Sequence, residues 1–171
     1  MKIVLAFAFT EPDAVRLLNW LAGVNARIFR AQPDLPGLYA SGVEYRRETE
    51  ETWSDYLTLL LQGWEDCDAL SAARAGELRA RGWRALAPDE PGYAQARRDR
   101  LGRIRAEVFL RTRNPPGVPG LYHCLVRYRV GRRWHVDDPS ARLGMLGRKL
   151  TAAQVQARLA RQTPLPQRRA A

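Results

Sequence analysis

The sequence predicts an α+β fold in which a cysteine-bearing helix packs on a small antiparallel sheet. Three observations carry that expectation. Apolar residues recur at helical spacing through the first half of the chain, a small-residue run opens at Cys67, and period-two alternation dominates from 103 to 138. With 171 residues, 46% of them hydrophobic and five of them Trp, the chain suits one core-bearing domain with peripheral additions.

Met1–Phe9 reads as a first strand. Its apolar stretch invites comparison with a signal peptide, but Thr10-Glu11-Pro12-Asp13 starts a helix where a cleavage site would fall. Thr10 is the expected N-cap of a helix over 11–31, with Val15, Leu18, Leu21, Val24 and Ile28 as its apolar stripe. Pro33-Asp34-Leu35-Pro36-Gly37 breaks that helix, and Leu38–Tyr45 reads as extended. A second helix is expected to carry Trp53, Tyr56, Leu57, Leu60 and Leu61 on one face and to end at Gly63. A third runs from Cys67 to Gly82, where Ala69, Ala72, Ala73, Gly76 and Ala80 give a face able to approach a sheet closely. Pro91-Gly92 marks a turn within an excursion over 88–100. Strands follow at 103–112, 120–130 and 133–138, the first two joined by the Pro/Gly-rich loop 114–120. Thr151 and Gln154 form a capping-box pattern for a last helix. The division is therefore 1–147 as the main domain and 148–171 as a basic helix and tail.

Charge and cysteine usage narrow the classes. No apolar run is long enough to span a membrane. Cys67 and Cys124 are too few for a disulfide framework and lack metal-ligand spacing. The net charge of +10 is uneven: residues 1–80 hold 8 basic and 12 acidic side chains (−4), residues 81–171 hold 20 and 6 (+14). That asymmetry permits an anionic partner, nucleic acid or an acidic protein surface; an Arg-rich composition with abundant Ala, Gly and Pro accounts for it without one and is the preferred reading.

Cys67 stands at a helix start, where free N–H groups and the helix dipole favour a thiolate and offer oxyanion donors. Glu65, Asp66 and Asp68 oppose ionisation, so a reactive Cys67 needs a cationic partner; otherwise it is a small buried hydrophobe. Strand geometry supplies the partner. Gly131-Arg132 fits a two-residue type II′ hairpin turn. It pairs Val130 with Arg133, sets Leu125 against Asp138, and makes His123 and Asp138 diagonal neighbours on one face together with Trp134 and Val136. Tyr122, Cys124, Val126, Tyr128 and Val130 form the opposite, core face. A three-residue turn would present Asp137 instead. A carboxylate beside His123 fixes the imidazole tautomer and stabilises its cation, which stabilises the thiolate. Gln62 is an oxyanion candidate, or merely a polar helix terminus. A zinc site from Cys67, His123, Cys124 and His135 is not expected, because adjacent strand residues point to opposite faces.

The string Gly63-Trp-Glu-Asp-Cys-Asp-Ala-Leu-Ser resembles the cysteine helix of the transglutaminase-like, papain-related superfamily of cysteine proteases and other hydrolases. His123-Cys-Leu-Val-Arg-Tyr and Trp134-His-Val-Asp-Asp-Pro-Ser resemble its His strand and its Trp-x-x-x-Asp-Pro strand. The resemblance is greatest to small transglutaminase-like proteins of tailed bacteriophages and prophages, and it covers roughly 37–147. It implies Cys67, His123 and Asp138 as catalytic residues, with Trp134 and Asp137 in support. It implies thiol acyl transfer on peptide or peptidoglycan, no metal or other cofactor, virion proteins as partners, and a place in the virion, its assembly or the host cytoplasm. A structural head, neck or tail protein that keeps the fold without catalysis is the alternative. Glu65 and Ala69 depart from the Gly-Asp-Cys-Glu-Asp pattern usual in the family.

Overall fold

The element order is set by where the chain can bury an apolar face. The computed structural model describes residues 1–4, 10–47, 52–112 and 122–145. Helix α1, Glu11–Ala31, starts at Thr10, whose hydroxyl donates to Asp13 Oδ2 (2.5 Å) rather than accepting from a backbone N–H. Its buried residues are Leu18, Leu21, Ala22, Asn25, Ala26 and Phe29. The inward face is thus rotated from the expected stripe, and Val15, Val24 and Ile28 lie at its margins.

The reason is the helix that α1 meets. Helix α3, Cys67–Arg81, is buried without interruption from Ala69 to Leu78, because it lies between α1 and the sheet. Small residues on both sides permit this. A Cβ at Gly76 would fall 2.6 Å from Asn25 Cβ and 2.9 Å from the Ala22 carbonyl oxygen, so at Gly76 the close approach is to α1, while Ala72 and Ala75 join the core formed with the sheet. Leu70 and Leu78, both fully buried, each contribute about 1.5–3 kcal/mol of transfer free energy.

The main sheet is antiparallel in the order β5-β6-β7, from Arg105–Thr112, Tyr122–Val130 and Arg133–Asp137. Val130 pairs with Arg133 and Val126 with Asp137, which is the register expected from a two-residue turn. Gly131 has φ +57° while Arg132 keeps a negative φ, which satisfies type II′ and excludes type I′. Cys124, Val126, Tyr128 and Val130 are buried beneath the sheet, whereas Trp134 and Val136 are exposed on its outer face.

The remaining elements are short, and Thr52–Ser54, Tyr56–Gln62, Trp64–Glu65 and Pro139–Arg142 among them pack against α3. Strand β1 (Lys2–Val4) pairs antiparallel with β3 (Thr52–Ser54), and β2 (Glu44–Tyr45) pairs parallel with β4 (Trp64–Glu65). Leu38–Ala40 is a turn of 3-10 helix, so the 38–45 segment is only partly extended. Helix α2 is shorter than expected, Tyr56–Gln62: Trp53 belongs to β3, and Leu61 is 90% exposed. Asp55 caps it by accepting from Thr58 N (3.0 Å), and Gly63 ends it. Helix α4 spans Tyr93–Arg98 and α5 spans Pro139–Arg142. No described helix is long and apolar enough to cross a membrane. The expected loop over 114–120 and the expected helix and tail over 148–171 lie outside the described residues.

Candidate active site

Cys67 is the first residue of α3 and is partly accessible. Asp66 caps the helix, its Oδ1 accepting from Asp68 N (3.1 Å), which fixes the backbone on which the thiol is mounted. The thiol donates to Asp68 Oδ1 (3.1 Å), and Cys124 donates to the same oxygen (2.8 Å).

His123 is buried on β6, and its Nε2 lies 2.8 Å from Asp138 Oδ2. A carboxylate only accepts, so Nε2 carries the proton of this bond and Nδ1 is the ring atom left for Cys67. Asp138 is itself held: its other oxygen, Oδ1, accepts from Ala141 N (3.0 Å) as the N-cap of α5, with Pro139 in the first turn. One carboxylate therefore starts a helix and orients an imidazole.

The electrostatics follow from these contacts. Hydrogen bonding with Cys124 is the largest influence on Cys67; with the His123 hydrogen bond it overcomes burial and brings the thiol down to about 4. Asp68 assists a thiolate only while protonated; as an anion it favours the thiol. His123 moves up, chiefly through its bond to Cys67 and next its bond to Asp138, against the effect of burial. Cys124 moves well up, because its hydrogen bond with Cys67 and its burial both favour the neutral thiol. The lowered thiol and the raised imidazole together favour a Cys67 thiolate beside a His123 imidazolium.

The other sequence candidates lie elsewhere. Gln62 donates one amide N–H to the Trp64 carbonyl (3.1 Å), as a polar helix terminus does, and the second N–H of that amide is not used in this bond. Trp134 lies against Arg127 (5.3 Å) and Arg105 (5.4 Å) at the far end of the hairpin, six residues or roughly 20 Å along the strand from His123. Asp137 faces the interior and accepts from Arg74 Nε (2.8 Å) and Tyr39 O–H (2.6 Å). It belongs to a buried ion cluster in which Arg74 also bonds Glu77, Glu90 and the Ala85 carbonyl. That cluster fixes Asp137 and hence the backbone from which Asp138 projects.

Sequence reading missed two neighbours of the thiol. Cys124 was placed on the core face, and it is there; but the core face at that point meets the first turn of α3. Tyr45, on β2, has its pKa raised by burial and then by the charge of Cys67, which places its phenol in the field of the thiolate. A helix packed on a sheet brings its first turn near some core-face residue, but which one, here Cys124, is decided by the packing. Nothing local marks Tyr45. Among the described residues, Cys67 Sγ, Asp68 O and Cys124 Sγ are the donor atoms grouped closely enough for a metal, all within 4.8 Å of one another. The two hydrogen bonds to Asp68 account for that grouping without an ion, and His123 and His135 are not part of it. Comparison with protein-family models, curated proteins and solved structures gives no match to this chain.

Proposed function

We propose that the chain is a transglutaminase-like thiol acyl-transfer protein, acting as a cysteine peptidase, amidase or transamidase. The observation that carries this reading is the 2.8 Å bond between His123 and Asp138 beside a helix-start cysteine whose thiol is driven toward the thiolate. In the proposed cycle the Cys67 sulfur attacks a carbonyl carbon. The Cys67 N–H, left over by the Asp66 cap, donates to the developing oxyanion. His123 gives its proton to the leaving amine, and Asp138 holds the ring while its charge changes. Water or an amine then attacks the thioester, with His123 taking the proton. On the resemblance of its motifs to those of tailed phages and prophages, the chain works in a virion or its assembly, and peptide or peptidoglycan amides are the substrates expected.

A second reading is a virion structural protein that retains the fold. It is favoured by the basic second half of the chain and by a cleft of about 860 Å³ lined by Trp83, Arg84, Tyr93, Arg97, Arg98 and Arg100. Such a surface suits an acidic protein or a nucleic acid.

An activated aryl ester separates the two. Acyl transfer predicts a burst of phenol release and a thioester on Cys67, found by intact mass, that discharges to water or to added amine. No burst, with Cys67→Ala indistinguishable from the native chain, leaves the structural reading.

A further inference from the structure

Cys124 forms no bond to the substrate in the proposed acyl transfer, yet its sulfur sits against the nucleophile. The two sulfurs share one acceptor oxygen, at 3.1 Å from Cys67 and 2.8 Å from Cys124, and lie within 4.8 Å of each other. Cys67 is partly open to solvent, whereas Cys124 is 2% exposed. We propose that Cys124 is a resolving cysteine, and that peroxide-class oxidants convert the pair into a Cys67–Cys124 disulfide that reversibly silences the site.

The chemistry balances in two steps. The Cys67 thiolate attacks a peroxide oxygen; the O–O bond breaks, hydroxide leaves, and Cys67 becomes the sulfenic acid while the peroxide is reduced. The Cys124 sulfur then attacks the Cys67 sulfur. The S–S bond forms, the S–O bond breaks, and the departing hydroxide combines with the Cys124 proton as water. Asp68 Oδ1, already bonded to the Cys124 thiol, is placed to relay that proton. Closing the sulfurs to the ~2 Å of a disulfide requires a displacement of the size of a χ1 change. The assignment of exposure matters: the accessible sulfur meets the oxidant, and the buried one can react only with its neighbour. Without Cys124, the sulfenic acid stays open to further peroxide and proceeds to the irreversible sulfinic acid.

The loss of activity rests on the proposed function, but the disulfide itself requires only the two thiols. The test is peroxide treatment of the full chain, with intact mass and free-thiol counting after unfolding. The native chain is expected to lose both thiols together with two hydrogen atoms and to gain no oxygen; dithiothreitol restores both thiols and the labelling of Cys67 by an alkylating reagent. Cys124→Ser is expected to gain oxygen, to be trapped by a 1,3-diketone at Cys67, and not to recover after longer exposure. Blocking Cys67 with an alkylating reagent before oxidation, which needs no variant, should leave Cys124 a free thiol. Oxygen added to Cys67 of the native chain with Cys124 still free overturns the proposal, as does equal recovery of the native chain and Cys124→Ser. Rapid labelling of Cys67 without disulfide formation sinks the resolving role alone; sluggish labelling of unoxidised Cys67 counts against the acyl-transfer reading.

Discussion

Arg74 is fully buried and holds three carboxylates that come from separate parts of the chain. Glu77 lies one turn along α3, Glu90 precedes α4, and Asp137 ends β7; Arg142 on α5 also reaches Glu90 and Asp137. The Arg74 guanidinium stacks on Tyr39 at 4.7 Å. Arg74→Ala strands these acids in a site from which water is excluded. Breaking one buried pair costs about 3–5 kcal/mol, a large share of the ~5–15 kcal/mol that holds a domain together. At an m-value of about 2 kcal/mol/M, the urea midpoint should fall by roughly 2 M. Arg74→Lys keeps the charge without the fork that spans three carboxylates, and should fall between. The deficit also depends on pH. Desolvation already raises Glu77 above its ordinary value of 4.5, and removing the cation raises it further. A carboxyl whose folded pKa exceeds the unfolded one gains native stability on protonation. The variant's deficit is therefore full above that raised pKa and shrinks as pH falls toward 4.5. Urea melts at several pH values check both statements. A midpoint shift below about 0.5 M at neutral pH would mean that the cluster is not the clamp described.

Other substitutions follow from single contacts. Gly76→Ala should destabilise by about 1–3 kcal/mol in thermal or urea melts, because the clash with α1 outweighs the ~1 kcal/mol gained in helix propensity. Asp138→Asn keeps an oxygen for the α5 cap but removes the charge beside His123, so it should melt near the native chain while Cys67 labels more slowly; Asp138→Ala should also lose about 1 kcal/mol of capping. Deleting 148–171, which carries six basic and no acidic residues, should leave the melting transition nearly unchanged and abolish salt-sensitive association with an acidic partner, read by sedimentation at low and high salt.

The parts of the fold that the sequence made legible are those decided by short-range chemistry. Gly131-Arg132 determined the hairpin turn, the turn determined the register, and the register brought Asp138 rather than Asp137 to His123. Gly82 ends α3 in the same way, whereas α1 starts after Thr10 although that hydroxyl bonds Asp13 instead of a backbone N–H. Where sequence reading failed, a distant partner decided. Trp53 shares helical spacing with Tyr56 and Leu60, yet β1 claims it for a strand, and the Asp55 cap two residues later was the local sign of the boundary. Asn25 and Ala26 turned inward on α1 because α3 offers Gly76 opposite them. A buried arginine such as Arg74 gives no local signal at all, since its acids converge only in three dimensions.

The alkylation rate of Cys67 as a function of pH tests the central claim most directly. With the thiol at about 4, the thiolate fraction near pH 5 exceeds that of an ordinary cysteine by about three and a half orders of magnitude. The lower nucleophilicity of so acidic a thiol takes back roughly two of them. Near pH 5 Cys67 should therefore react roughly thirtyfold faster than an ordinary thiol, and faster still relative to Cys124. His123→Ala should reduce that rate at least about tenfold and move the profile to higher pH. If Cys67 instead titrates like a free cysteine, reacts no faster than Cys124, and ignores His123→Ala, then Cys67 is a packing residue and the thiolate–imidazolium pair does not exist.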